Sequence, residues 1–138
     1  MTDANQGARH AYRQQQAGAW TRIDMLLALY VRAEETLSQL AAGAGDAAAQ
    51  RLKLVRLLLG IRQGLDFQHG ELPQNIDRLC EFIQQQALHG GPDELASAQQ
   101  VLRTLREAYQ AIRDEAADLE ASGQIPSAAA DATWERLA

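Results

Sequence analysis

The chain has 138 residues, 46% of them hydrophobic and only 5% aromatic, with one cysteine and a net charge of −5. That length supports a core in one domain without staples, and the single Cys80 excludes an internal disulfide or a cysteine-based metal site. The acidic balance argues against a general nucleic-acid binder; the polar N-terminus and the lack of a long apolar run fit a soluble, cytoplasmic protein with no membrane insertion.

Leu and Ala supply most of the apolar mass and β-branched residues are few, which favours helix over strand and predicts an all-α fold. Residues 1–20 show little periodicity beyond the isolated aromatics Tyr12 and Trp20 and read as a flexible arm or one short helix. Thr21, with Asp24 three residues on, is an N-cap signal. From there Ile23, Leu26, Leu27, Tyr30, Leu37 and Ala41 recur at helical spacing until Gly43-Ala44-Gly45 stops them. Asp46 can cap a second helix that runs to the break at His69-Gly70, and Pro73 suits the first turn of a third.

The third helix carries Ile76, Leu79, Cys80, Ile83 and Ala87 inward and closes at His89-Gly90-Gly91. Pro92, Asp93 and Glu94 open a last helix in which Leu95, Ala98, Leu102, Leu105, Tyr109, Ile112, Ala116 and Leu119 alternate steps of three and four. Ser122-Gly123 and Pro126 end it. Short connections predict an antiparallel up-down four-helix bundle over residues 21–121, with an Ala-rich tail over 122–138.

The second helix has an unusually wide apolar arc. Leu52, Val55 and Leu59 form one cluster and Leu54, Leu57, Leu58, Ile61 and Leu65 another, together spanning roughly 220°, about twice an ordinary core stripe. Either three neighbours bury this helix, or part of the arc is an open groove for an amphipathic helix. The same stretch is locally basic, with Arg51, Lys53, Arg56 and Arg62 and no acid. Glu34 and Arg62 each interrupt an apolar face, and pairing between antiparallel helices would satisfy both.

Catalytic chemistry has no residues to stand on. No Glu-x-x-His pair exists for a di-iron centre, and His10, His69 and His89 fall in the arm or at helix ends. There is no Gly-rich phosphate loop, nucleophile elbow or Cys/His pair, so neither an enzyme nor a cofactor is expected.

Met25-Leu26-Leu27-Ala28-Leu29-Tyr30 resembles the Leu-x-x-x-Leu-Tyr segment of the flagellar export chaperone family FliS. The order Leu65-Asp66, Gly70-Glu71-Leu72, Asn75-Ile76 and Leu79-Cys80 is similar to that family's later series, as is Leu105-Arg106-Glu107-Ala108-Tyr109 near the end. The resemblance spans roughly residues 10 to 115, with departures at Val31 to Glu34, His69 and Cys80. It implies a chaperone that binds the disordered C-terminal segment of flagellin in an apolar helical groove, with the flagellar export gate as a further candidate partner.

On this reading the groove takes Ile23, Leu27 and Tyr30 from the first helix and Leu54, Leu58, Ile61 and Leu65 from the second. Leu72, Asn75, Ile76 and Leu79 line it from the third, and Tyr12 anchors the arm in the same place. The alternative is an adaptor that forms a homo-oligomer, a dimer, through the heptad face of its last helix and has no flagellin client.

Overall fold

Each helix in the computed structural model starts or stops where local chemistry requires it; residues 20–66, 68 and 70–125 are described. Helix α1 (Arg22–Ala41) begins at Thr21, whose hydroxyl accepts the Asp24 N–H at 3.2 Å and donates to the Asp24 carboxylate at 2.9 Å. Helix α2 (Ala47–Gln63) begins at Asp46, whose carboxylate accepts from the N–H groups of Ala48 and Ala49. Gly70, at φ 86°, turns the chain in the left-handed region, and α3 (Leu72–His89) follows with Pro73 in its first turn.

Only Gly90 and Gly91 separate α3 from α4 (Pro92–Ala111). A Cβ on Gly90 would lie 2.6 Å from the Gln86 carbonyl and 2.8 Å from the Glu94 Cβ, so this hairpin admits no side chain there. Glu94 reaches back to accept the Gly91 N–H at 3.0 Å.

The expected last helix comes in two pieces. At Ile112 the backbone leaves the helical well (φ −103°, ψ 9°), its N–H bonds to Tyr109 three residues back, and a separate α5 (Arg113–Ala121) continues. The step of three and four residues runs on through this break, which is why periodicity alone reads one helix.

Helices α1 to α4 form a cyclic up-down bundle. α1 packs against α2 and α4, α3 packs against the same two, and α5 lies on α1. The interhelix bonds fix the directions: Glu34 pairs with Arg106 and Asp24 with Arg113, so α4 and α5 run antiparallel to α1. Likewise Arg51 donates to the Ala87 carbonyl and Arg62 pairs with Asp77, so α2 and α3 are antiparallel.

One apolar core fills the centre, from Leu29, Tyr30 and Leu37 on α1 through Leu54, Leu58 and Ile61, then Ile76, Cys80 and Ile83, to Leu95, Ala98 and Leu102. Tyr30 stacks on Tyr109 with centroids 5.6 Å apart. Thr36, also buried, satisfies its hydroxyl on the Arg32 carbonyl at 2.7 Å, whereas the buried Tyr30 hydroxyl has no hydrogen-bond partner among the described residues. No described residue is in a strand.

Candidate partner-binding surface

Two arrangements of the wide arc on α2 were open, and the structure takes the covered one. Leu54, Leu58 and Ile61 have 0% of their surface exposed, because α1 and α3 close over them. They are core, so the expected open groove along Leu54, Leu58 and Ile61 is corrected. Tyr30, Ile23 and Ile76 are buried as well, and Leu27 and Leu65 are half-buried. What α2 leaves in solvent is the other cluster, through Leu52 and Leu59.

A second correction concerns Glu34 and Arg62. They do not meet: Glu34 faces α4 and accepts from Arg106 Nε at 2.8 Å, while Arg62 faces α3 and donates to Asp77 at 2.6 Å. Both charges are paired, as their place on apolar faces requires, but each with the neighbour on its own side. The heptad face proposed for a dimer is likewise committed inside the molecule, since Leu95, Ala98 and Leu102 are buried in the bundle. Tyr12 lies outside the described residues.

Three of the expected site residues are on the surface, and they share one row. Leu72, Asn75 and Leu79 lie exposed along α3 at helical spacing, and the row continues to Phe82. Leu72 is 67% exposed, Leu79 36% and Phe82 39%. Asp77, which points to α2, lies on the far side of the buried row Ile76, Cys80, Ile83 and Ala87 from Leu79 and Phe82, so the exposed row borders α4.

On α4, Arg106 points to α1, and by the same phase argument Val101, Leu105 and Ile112 lie on the flank toward α3. Val101 and Leu105 are half-buried against the core, and Ile112 is 47% exposed. The α3–α4 seam is thus a largely apolar strip, interrupted by Asn75, and no ion pair among the described residues crosses it. Phe82 escapes a reading from the sequence because it sits at the margin of the apolar stripe beside Glu81; its spacing of three from Leu79 is the signal that points to it.

At the end of the bundle, where Ile112 lies, there is a cleft of about 200 Å³. Ile23, Leu26, Ile61, Leu65, Tyr109 and Ala116 provide apolar lining, with Arg22 and Glu120 among the remaining wall residues. Burial pushes the Cys80 thiol up to about 11 and raises Tyr30 and Tyr109 above the ordinary phenol range, so these groups stay protonated near neutrality. Asp24 moves the other way, held below its ordinary 3.8 by the Arg113 hydrogen bond despite partial desolvation. No group of His, Cys, Asp and Glu among the described residues could hold a metal ion.

One comparison finds a match for this chain: residues 4–116 match the family described as Flagellar protein FliS. The chain belongs to the FliS family. The match covers all of α1 to α4 and enters α5. With membership comes the family's role as a flagellar export chaperone. Neither the characterised proteins nor the solved structures contain a match to this FliS chain. No helix among its described residues is long and apolar enough to cross a membrane.

Proposed function

We propose that this protein binds the C-terminal segment of flagellin in the cytoplasm and lays it along the α3–α4 seam. The observation that carries this reading is the exposed row Leu72, Leu79 and Phe82, bordered by Val101 and Leu105. A disordered amphipathic segment gains most where apolar side chains recur at helical spacing and no ion pair must be broken to admit it. Burying the segment would keep flagellin from polymerising before export.

The test is co-elution in size-exclusion chromatography with the flagellin of the same organism, intact and lacking its C-terminal segment. A complex with the intact protein and none with the truncated one is expected. A complex with both, or with neither, would overturn the reading.

A further inference from the structure

Helix α5 is held to the bundle in an unusual way for its length. None of its residues is buried, yet two polar links fasten it to the first turn of α1. Arg113 donates from Nε and Nη2 to the two oxygens of Asp24, at 2.9 and 3.0 Å, and the Glu120 carboxylate accepts the backbone N–H of Arg22 at 2.8 Å. Between these links and the bundle lies the cleft of about 200 Å³, with Ile112 and Ala116 as its wall on the α5 side. The break in the helical ladder at Ile112 is the one place between α4 and α5 where the backbone leaves the helical well, which makes it the pivot for any movement of α5.

We propose that this cleft takes one apolar side chain of the bound segment, of leucine or phenyl size, and that α5 is the door by which it enters. The proposal rests on the flagellin reading above. Size supports it, since an apolar cavity of about 150 Å³ admits benzene. Continuity supports it too: Ile112 lines the cleft and is also exposed at the end of the α3–α4 seam, so a segment lying in the seam arrives at the opening. The links are polar and partly solvated, and none of the residues α5 itself contributes is buried, so opening them pulls no side chain of α5 out of the core.

The experiment uses the full chain with methyl-labelled Ile and Leu, observed by NMR, with benzene as the first probe and a flagellin C-terminal peptide as the second. Benzene should give saturable shifts at Ile23, Leu26, Ile61 and Leu65. Ala116→Phe, which fills the cleft from the exposed helix, should abolish them and weaken peptide binding at least tenfold, and Ala116→Leu should do so to a smaller degree. Arg113→Gln should speed peptide association several-fold.

Benzene leaving these methyls unmoved would overturn the proposal, as would Ala116→Phe excluding benzene while binding peptide like wild type; in that second case the seam reading survives. Should benzene enter only after residues 1–19 are removed, the chain's own N-terminal residues are the occupant and the proposal falls. If benzene enters wild type but no peptide binds, the flagellin reading fails and the proposal fails with it.

Discussion

Phe82 and Leu88 form a matched pair on α3, and together they test where the client lies. Their exposures are 39% and 38%, but the five residues between them place them on different faces, Phe82 toward the α3–α4 seam and Leu88 away from it. An aromatic side chain offers about 200 Å². For Phe82 the exposed fraction leaves about 80 Å² in solvent, worth about 2 kcal/mol at ~25 cal/mol per Å² if a client covers all of it.

That figure is a ceiling of about thirtyfold in Kd, and ordering costs on binding bring the expected loss for Phe82→Ala to about tenfold. Leu88→Ala should leave Kd unchanged. Isothermal titration with a flagellin C-terminal peptide measures both, and urea unfolding confirms that both variants remain folded. Equal losses in the two variants, or no loss for Phe82→Ala, would refute the placement of the client on the seam.

Leu58→Ala opens a cavity in the core and should cost about 2–5 kcal/mol in urea unfolding, a loss of fold rather than of a contact surface. Tyr30→Phe removes a buried hydroxyl without a partner among the described residues, so it should be neutral or stabilise by about 1 kcal/mol; a loss greater than that would show a bond the hydroxyl makes elsewhere. A double-mutant cycle on Glu34 and Arg106 should give a coupling of about 0.5–1 kcal/mol, and the cycle on Glu34 and Arg62 none.

Asp24 sets a pH dependence: with its pKa lowered in the fold, the unfolded chain takes up the proton first, so its contribution is full above about pH 4 and is lost as pH falls through the lowered value. Urea midpoints for wild type should therefore exceed those of Asp24→Asn at neutral pH and converge with them in acid.

Helix ends were readable because their signals are local. Thr21, Asp46, Gly70, Pro73 and Gly91-Pro92 act through bonds or dihedrals within a few residues, and each marks an observed boundary. The proposed client surface was less readable for the opposite reason. On α2 both apolar clusters satisfy a helical period, and only the positions of α1 and α3 decide that Leu54, Leu58 and Ile61 go inward while Leu52 and Leu59 stay outside. Ion-pair partners depend on the same tertiary register, so a sequence can require that Glu34 and Arg62 be paired without naming Arg106 and Asp77. The break at Ile112 is hidden because its residue continues the apolar pattern it interrupts.

The closure of α4 and α5 on α1 also constrains how the protein is made. Glu34 and Arg106 are 72 positions apart, Asp24 and Arg113 are 89, and the Arg22 to Glu120 bond spans 98. A ribosome delivers α1, α2 and α3 well before the strand of chain that must cover Tyr30, so the emerging polypeptide holds an unfinished core through most of its synthesis. The bundle can close only once residues beyond Arg113 have left the exit tunnel. An export chaperone thus passes through a stage in which its own apolar surface is uncovered.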